Sequence, residues 1–221
     1  DLVSSRGLGD VYKRQDQYTS AKKSFIKMQG SLFFLITTEA ASNYARTFWQ
    51  HTGLGASSRQ AAIDLNLELS PDKNLVNECK FKLIDRISSF TNTDPKLIYL
   101  TSSGMSAFHT ALEIIYKIFP KRPTLQIGFP YVDVLKLPKN IFYGAHLITE
   151  ESIQDIELEI KRINPSALII ELPSNPLLKC TNIKKISKIA NDLKIPVITD
   201  DTIGSNININ SLEVSDMVFT S

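Results

Sequence analysis

Short, mostly apolar segments alternate with helical patterns through the second half of the chain, and this alternation constrains the fold more than any other feature. From Lys96 to Ser221 each apolar run is followed by turn residues, and most of these turns lead into an amphipathic stretch. Strands that alternate with helices build a parallel sheet with right-handed crossovers and helices on both faces. The sequence therefore predicts an α/β fold with a doubly wound, mainly parallel sheet of five or six strands.

The predicted strands and helices follow one another in a regular order. The strands, each a short run suited to the interior of a sheet, are Leu97–Leu100, Leu125–Ile127, His146–Thr149, Ala167–Glu171, Val197–Thr199 and Met217–Phe219. The helices between them are Ser106–Ile118, a short segment that ends at Leu137, Ser152–Ile163 and Asn182–Leu193. In such sheets the functional site lies outside the carboxyl ends of the strands, so the residues just after each strand are the first candidates for chemistry.

The first part of the chain has a helical pattern instead. We predict helices over Glu39–Trp49, from a Ser57 or Ser58 cap to about Leu69, and from Ser70-Pro71 to Phe90, since serine caps helices and proline suits their first turn. Cys79 lies among the apolar positions of the last helix, and we interpret it as a core residue. Gly53 and Gly55 form a G-x-G pattern, but no predicted strand precedes them, so a dinucleotide-binding fingerprint is not indicated.

The composition argues against several classes of protein. A net charge of +2, from 25 basic and 23 acidic residues, gives no argument for a nucleic-acid or acidic-membrane partner. The apolar run Leu32–Ile36 is too short to span a bilayer. Cys79 and Cys180 form no CxxC pair and the three histidines are scattered, which indicates a reducing, cytoplasmic setting and no metal site.

Both ends of the printed sequence carry an expectation of their own. Asp1–Gln15 has no helical or strand period, and its last part, DVYKRQ, looks like a translated sequencing adapter. We therefore expect an artefact there, with a native disordered tail as the alternative. At the other end the chain stops at Ser221, directly after an apolar strand, where a loop and a helix normally follow. This end leads us to expect a gene fragment.

Two adjacent acids, Asp200 and Asp201, follow the strand Val197–Thr199 directly. A carboxylate at that place either caps the next turn or holds a cation or a protonated ring nitrogen, and the residues alone leave both interpretations open. If Asp200 holds a ring nitrogen, the ion pair keeps that nitrogen protonated at neutral pH. Thr202 is then placed to support either the acid or the ring.

Three other segments that follow strands add candidate ligand groups. Ser102–Met105 brings a glycine to a strand-to-helix turn, where successive N–H groups suit a phosphate, although a plain tight turn has the same pattern. Tyr131 offers a stacking ring and a hydroxyl for proton transfer, and its alternative is a partly buried core aromatic. Asn175 is either a turn former or an amide directed at a ligand. With Asp200, these groups match pyridoxal 5′-phosphate, a phosphorylated pyridine that acts as an electron sink.

Five segments resemble, in the right order, the Cys/Met-metabolism family of pyridoxal-phosphate-dependent enzymes. They are SSGMSAF (Ser102–Phe108), FPYVDVLK (Phe129–Lys136), ELPSNPLL (Glu171–Leu178), ITDDTIG (Ile198–Gly204) and DMVFTS (Asp216–Ser221). FWQHTGLGASSR (Phe48–Arg59) and DDTIG are most similar to the fungal-type cystathionine γ-synthase branch of the family. The resemblance implies an aspartate-aminotransferase-like (type I) large domain. The cofactor-binding part would span 71–221, after a helical segment and loop over 16–70.

The resemblance also implies roles for matching positions. The phosphate would be held by Gly104, Met105 and Ser221, the ring by Tyr131 and Thr202, the ring's phenolic oxygen by Asn175 and the pyridine nitrogen by Asp200; Tyr131 would also take part in proton transfer. The family's Schiff-base lysine belongs three residues beyond Ser221, so the printed sequence does not include it. The family's usual Y-S-R phosphate clamp, which is donated to the neighbouring subunit, is replaced here by His51-Thr52-Gly53, and Arg59 aligns near a family arginine.

The activity implied for the intact protein is trans-sulfuration by γ-replacement. An activated homoserine ester would exchange its γ-leaving group for the thiol of cysteine and give cystathionine, as in methionine and cysteine biosynthesis, whereas the fragment alone is expected to be inactive. A sulfhydrylase that takes sulfide, or a cystathionine or methionine lyase, shares every motif seen here. An inactive homologue that serves as a scaffold subunit also stays open, while the lack of a phosphate-loop motif counts against a nucleotide-binding module. The expected partners are small amino-acid substrates and further copies of the chain, in a dimer or tetramer.

Overall fold

The computed structural model describes residues 25–29, 32–149 and 152–221. The segment Asp1–Gln15, predicted to be an artefact, lies outside the described residues. The chain divides into two compact units, one of Asp1–Gln50 and Leu54–Thr101 and the other of His51–Gly53 and Ser102–Ser221. The second unit holds every candidate group that was predicted to follow a strand.

The described part of the first unit combines a hairpin with helices. Strands β1 (Phe25–Gln29) and β2 (Leu32–Ile36) pair antiparallel. The helices are α1 (Glu39–Thr52, whose last two residues belong to the second unit), α2 (Ser58–Asp64) and α3 (Lys73–Thr91), followed by a 3-10 turn at Pro95–Leu97. The Ser57 side chain accepts a hydrogen bond from the N–H of Gln60, so the predicted serine cap of α2 is confirmed. The hairpin has no counterpart among the predicted elements.

The prediction of a strand at Leu97–Leu100 is wrong. The Asp94 side chain accepts a hydrogen bond from the N–H of Lys96 at 2.9 Å, and Pro95 occupies the first position, so the segment turns as a 3-10 helix. Both residues favour a helical turn locally. No described strand pairs with the apolar residues that follow, and Tyr99 is 80% exposed. Local capping therefore prevails over the apolar pattern.

The bounds and the burial of the other helices also differ from the predictions. Helix α3 is capped by the side chain of Asp72 and not by Ser70. Cys79, predicted to pack in the core, is exposed, because α3 has no fully buried residue among those described. Helix α2 ends at Asp64 and not near Leu69. Apolar spacing alone therefore overestimated how much of this unit is buried.

In its described residues the second unit contains a five-stranded sheet and four helices. The strands are β3 (Thr124–Ile127), β4 (Ala145–Ile148), β5 (Leu168–Glu171), β6 (Val197–Asp200) and β7 (Met217–Phe219), and the helices are α4 (Gly104–Ile118), α5 (Val132–Ile141), α6 (Ile153–Ile163) and α7 (Ile183–Asp192). The strand order is β4-β3-β5-β6-β7, and all neighbouring pairs are parallel. The predicted α/β fold with a doubly wound parallel sheet is confirmed.

The sheet is covered on both faces by apolar side chains. Alternate residues of a strand point to opposite faces, so Leu168 and Ile170 of β5 pack with α6 and α7, whereas Ile169 packs with α4 and α5. All three are 0% exposed, and each such burial stabilises the fold by about 1.5–3 kcal/mol. With both faces covered, polar groups gather where the strands end.

Capping side chains determine where the helices after the strands begin. Ser152 accepts a hydrogen bond from the N–H of Asp155 at 3.2 Å and caps α6 as predicted. Asn182 caps α7 in the same way through the N–H of Lys185. Among the helices of the described residues, none has both the length and the apolar character needed to cross a membrane.

Candidate active site

The carboxyl ends of the parallel strands meet at one edge of the sheet in the second unit. Asp200 is the last residue of β6 and Glu171 the last residue of β5, while Tyr131, Asn175 and Ser221 follow β3, β5 and β7. Strands β5 and β6 are in register at this end, where Glu171 is paired with Asp200. The structure thus brings candidates from several loops to a common edge, as is typical of an open α/β sheet.

Asp200 is held rigidly and is 4% exposed. Its Oδ1 atom accepts two hydrogen bonds from Thr202, one from the hydroxyl at 2.6 Å and one from the N–H at 3.1 Å. No hydrogen bond within the described part of the chain reaches its Oδ2 atom. Burial raises the pKa of Asp200, and the hydrogen bonds from Thr202 oppose this shift. One oxygen is fixed and the other can accept a hydrogen bond from a cationic ligand group.

The neighbouring Asp201 faces a different environment. Its carboxylate packs against the following turn, where a Cβ on Gly204 would collide with its Oδ1 atom. The N–H of Ser205 donates to the backbone carbonyl of Asp201 at 2.7 Å. Burial is the main cause that raises the pKa of this acid too. Asp200 accepts the N–H of Thr202, as a turn cap does, and its Oδ2 atom has no donor from the described residues, so both interpretations that the sequence left open remain compatible with it.

Glu171 is a residue of this edge that the sequence analysis did not single out. It is 6% exposed, and its Oε1 atom accepts the N–H of Asn175 at 3.1 Å. Burial raises the pKa of Glu171, the negative charge of Asp200 adds to the shift, and hydrogen bonding to the backbone of Tyr131 and Asn175 opposes it. Glu171 is therefore hydrogen-bonded to the loop that carries Asn175. An acid at the end of an apolar strand, directly before a Pro-Ser-Asn turn, was the signal that could have revealed it.

Serine and glycine form the N-terminus of α4. The Ser103 hydroxyl accepts from the N–H of Ser106 at 3.2 Å, and the Ser106 hydroxyl accepts from the N–H of Ser103 at 2.9 Å. In the described residues no acceptor is found for the N–H groups of Gly104 and Met105, as is usual in the first turn of a helix. Successive N–H groups of this kind attract anions.

Two further segments approach this helix start closely. Ser221 follows β7, whose Phe219 stacks on Phe108 of α4 with ring centroids 4.9 Å apart. A Cβ on Gly104 would lie 2.5 Å from the Cβ of Ser221, so glycine is what permits the approach. Gly53 has a φ of +65°, and a Cβ there would lie 2.5 Å from the capping hydroxyl. This contact was not predicted, because the G-x-G pattern was interpreted only as a possible nucleotide-binding motif.

Tyr131 and Asn175 both lie on the surface. Tyr131 is 51% exposed and begins α5, yet its hydroxyl does not cap that helix. The negative charge of Asp133 is the main cause that raises the pKa of Tyr131, with further contributions from burial and from hydrogen bonding to the same carboxylate. The side-chain amide of Asn175 makes no hydrogen bond to any described residue. Both side chains are open to a ligand, and Tyr131 is not a core aromatic.

Two cavities found in the described residues of this unit lie at the carboxyl ends of β3, β4 and β5. One of about 370 Å³ is lined by Glu171, Ser174, Lys179 and their neighbours. Another of about 380 Å³ lies between the starts of α6 and α7. Neither is lined by Asp200 or Gly104. The candidate site is therefore an open edge, in agreement with the exposure of Tyr131.

A buried acid and an N–H-rich helix start lie at the strand ends of a parallel sheet, where α/β proteins typically bind small ligands. A family model described as "Cys/Met metabolism PLP-dependent enzyme" matches residues 74–221, which is more than half of the chain. The chain belongs to this family of pyridoxal-phosphate-dependent enzymes. Asp200, Asn175 and Ser221 all lie within the matched part.

Curated relatives agree with this assignment. The chain is 34% identical over 136 residues to the cystathionine gamma-synthase of Neurospora crassa, and the match covers 56% of the chain and 22% of that protein. It is 28% identical over 154 residues to the cystathionine gamma-synthase of Saccharomyces cerevisiae, covering 59% of the chain and 23% of that protein. The chain thus spans about a quarter of the length of these relatives.

A solved structure supports the fold. The alanine–glyoxylate aminotransferase of Nostoc sp. superposes with a TM-score of 0.52 at 13% sequence identity, covering 63% of this chain and 40% of that one. Similarity at this level of identity concerns the fold alone. Together with the family match and the parallel sheet, it confirms the predicted aspartate-aminotransferase-like class.

The described residues fit pyridoxal phosphate, the cofactor on which this family depends. The Oδ2 atom of Asp200 has no donor from the described residues, and a protonated pyridine nitrogen supplies one. The start of α4 offers N–H groups, and the close approach of Ser221 to Gly104 adds a hydroxyl-bearing residue there, which suits a phosphate. The two ends of the edge thus match the two oppositely charged groups of the cofactor.

Proposed function

We propose that the intact protein containing this chain is a trans-sulfuration enzyme. It replaces the γ-substituent of an activated homoserine ester with the thiol of cysteine and releases cystathionine. Membership of the family and similarity to two proteins named cystathionine gamma-synthase support the proposal. Because a γ-replacement transfers a group to cysteine, we class the enzyme as a transferase.

One observation carries the proposal that this edge is the catalytic site. The buried Asp200 and the start of α4 belong to the same unit. Asp200 ends strand β6 and Gly104 begins helix α4, and the two provide opposite electrostatic environments. A phosphorylated pyridine carries complementary groups at its two ends.

The residues of this chain would hold the cofactor and control protons around it. When bound, pyridoxal phosphate supplies an electron sink for the electron pair left at the substrate's α-carbon. Asp200, fixed by Thr202, would keep the ring nitrogen protonated. Asn175 would donate its free amide to the ring's phenolic oxygen. Gly104, Met105 and Ser221 would bind the phosphate, the first two through backbone N–H groups.

Tyr131 is proposed to cover the ring and to hold a proton at its hydroxyl. A phenol is protonated at neutral pH and acts as a hydrogen-bond donor, and the charge of Asp133 is the first cause that raises the pKa of Tyr131 further. Its exposure of 51% leaves the ring face and the hydroxyl accessible to cofactor and substrate. The proposed role therefore requires no rearrangement that buries Tyr131 first.

The lysine that carries the cofactor is proposed to lie beyond Ser221. The printed chain alone would then bind the cofactor weakly and would be inactive. We further propose that the intact enzyme is a homo-oligomer, a dimer or a tetramer, and that it works in the cytoplasm. The free thiols of Cys79 and Cys180 agree with a reducing compartment.

The test supplies the intact, cofactor-loaded protein with acetyl, succinyl and phosphoryl esters of homoserine, each with cysteine or with sulfide. Cystathionine, detected by mass spectrometry as the preferred product from an ester and cysteine, is the expected result. Homocysteine formed preferentially from sulfide would identify a sulfhydrylase instead. Keto acids released from cystathionine or methionine would identify a lyase.

A protein that fails with every one of these pairs would contradict the proposal. If it also lacks the absorbance of a lysine-bound cofactor, the inactive scaffold subunit becomes the better interpretation. A matched control is the Asp200→Asn variant, which should lose turnover with all substrate pairs alike because the ring nitrogen loses its anionic partner.

A further inference from the structure

A histidine–aspartate pair lies next to Tyr131 within the second unit. His51 is in the last turn of α1 and is 5% exposed. Its Nδ1 atom lies 3.0 Å from Oδ1 of Asp133, in the first turn of α5. The two residues are 82 positions apart in the chain, so their contact is a product of the tertiary fold.

His51 makes no other hydrogen bond to the described residues. Placing an imidazole in a buried position costs free energy unless a hydrogen bond compensates for the lost water, and Asp133 provides that bond. The side chain of Asp133 is 20% exposed against 7% for that of His51. The histidine is therefore the fixed member of the pair, and it restricts the orientation of the carboxylate.

Asp133 acts on Tyr131 as well. Its negative charge is the first cause of the raised pKa of that phenol, and hydrogen bonding between the two side chains contributes. The Tyr131 hydroxyl does not cap α5, so it is available to this carboxylate. Glu171 is a further titratable group near this segment, and it acts through the backbone of Tyr131. Asp133 thus contacts the buried imidazole directly, and its charge acts on the exposed phenol at the start of the same helix.

We propose that His51 and Asp133 are positioning residues for Tyr131. His51 donates its Nδ1–H to Asp133 and fixes the carboxylate, and the fixed carboxylate keeps its negative charge at one place beside the phenol at the start of α5. The inference rests on the proposed function, because that function assigns Tyr131 to the cofactor ring. It assigns a positioning role to His51, which occupies the place where the family's usual phosphate clamp begins.

The test compares His51→Asn with His51→Gln in the intact protein. Asparagine places its amide near the position of Nδ1 and can still donate to Asp133, whereas glutamine places its amide near Nε2 and cannot. The first readout is the pKa of Tyr131 in the cofactor-free protein. It is measured from the ultraviolet absorbance of tyrosinate, with Tyr131→Phe subtracted to isolate one of the seven tyrosines.

We expect the pKa of Tyr131 to fall in Asp133→Asn and in His51→Gln, and to stay at the parental value in His51→Asn. In the cofactor-loaded enzyme, kcat should fall about tenfold in Asp133→Asn and His51→Gln with little change in KM. This is the loss expected for one charge-assisted hydrogen bond that orients a catalytic group. His51→Asn should stay within about threefold of the parent.

The proposal is overturned if both histidine variants leave the Tyr131 pKa and kcat at parental values. It is also overturned if both variants lower these two quantities equally. A purely structural role would lower the melting temperature of the two variants without separating their phenol titrations. If the intact protein lacks trans-sulfuration activity, the proposed function fails, but the titration of the cofactor-free form still decides the role of His51. The two failures are therefore distinguishable.

Discussion

The two ends of the candidate edge differ in charge and in how their groups are held. At the β6 end, Asp200 and Glu171 are 4% and 6% exposed, and burial is the main cause that raises the pKa of each. At the α4 end, Gly104 and Ser221 offer N–H groups and a hydroxyl, and Ser221 is exposed. One end carries two buried acids, and the other presents the N–H group of the buried Gly104 beside the exposed Ser221.

This difference indicates how each end would act on a ligand. A carboxylate in a poorly hydrated site interacts strongly with a nearby cation, because the low local dielectric screens the charges little. A helix start binds an anion through N–H groups that face the ligand already, without burying a charged side chain. Changes at the acid end should therefore alter the chemistry of the ring, whereas changes at the helix end should alter only the binding of the phosphate.

The largest effect is expected from Asp200→Asn. Without an anionic partner the ring nitrogen loses its proton more easily, so kcat/KM of the intact enzyme should fall about 100-fold or more. Affinities for pyridoxal and for pyridoxal phosphate should weaken by similar factors, since the change concerns the ring that both share. Absorbance titrations of the cofactor-free protein measure these affinities.

The matched control for this variant is Asp201→Asn. Asp201 packs against the turn at Gly204, so its substitution should leave both affinities within about twofold of the parent, as for a residue that only supports a turn. Equal losses in the two variants would mean that the site responds to general disruption and not to the ring-facing acid.

The second largest effect is expected from Gly104→Ala, which should weaken the affinity for pyridoxal phosphate about 10- to 30-fold. The added Cβ would lie 2.5 Å from the Cβ of Ser221 and must displace it, while alanine itself favours the helix. The affinity for pyridoxal, which lacks the phosphate, should change little. A comparable loss for pyridoxal would contradict the separation of the two ends.

The steric origin of this effect can be checked with a double-variant cycle. Adding Ser221→Gly removes the colliding Cβ, so Gly104→Ala should cost almost nothing in that background. Additive losses would instead show that Gly104 matters through its own backbone and not through the contact with Ser221.

A smaller effect is expected from Thr202→Val, which removes the 2.6 Å hydrogen bond to Asp200 and keeps the side-chain volume. The hydrogen bond lowers the pKa of Asp200, so its loss makes the acid harder to ionise. Affinity for the cofactor should fall about fivefold, in line with about 1 kcal/mol for one hydrogen bond. Thr202→Ser keeps the hydroxyl and should bind like the parent; if it binds like the valine variant, the methyl group and not the hydrogen bond is responsible.

The smallest effect concerns the stability of the cofactor-free protein as a function of pH. The pKa of Asp200 is raised in the folded state above its unfolded value of about 4. The acid therefore stabilises the fold fully below that pH, and this contribution is lost as the pH rises through the raised pKa. Over that pH window the melting temperature of the parent should fall relative to that of Asp200→Asn. The expected fall is about 2–4 °C for each 1 kcal/mol lost from the free energy of unfolding. Parallel melting curves at all pH values would contradict a raised pKa.

Much of the second unit could be predicted because its signals are local. The predicted strands near Leu125, Ala167 and Val197 agree with the observed bounds to within one residue, since a buried strand between turns is a short-range pattern. The capping of α6 by Ser152 was likewise readable from a serine before an acidic first turn. The positions of the candidates just after strands follow from the same alternation.

Other features could not be predicted, because they depend on groups that are distant in sequence. The antiparallel hairpin of β1 and β2 and the surface position of Cys79 depend on which elements cover which. At Leu97–Leu100 the apolar pattern indicated a strand, but no described strand pairs with it and Asp94 caps a turn instead. A pairing partner is a tertiary property, and periodicity carries no information about it.

The amino-acid sequence by itself determined that this protein has an alternating α/β fold, that its polar candidates follow strands, and that it resembles a pyridoxal-phosphate family. Only the tertiary structure showed how the two adjacent acids differ, since Asp200 accepts hydrogen bonds from Thr202 whereas Asp201 packs against the turn at Gly204. The tertiary structure also added Glu171 and the His51–Asp133 pair. The reason is physical: strand and helix patterns arise from neighbours in the chain, whereas burial, register and electrostatic pairing arise from neighbours in space.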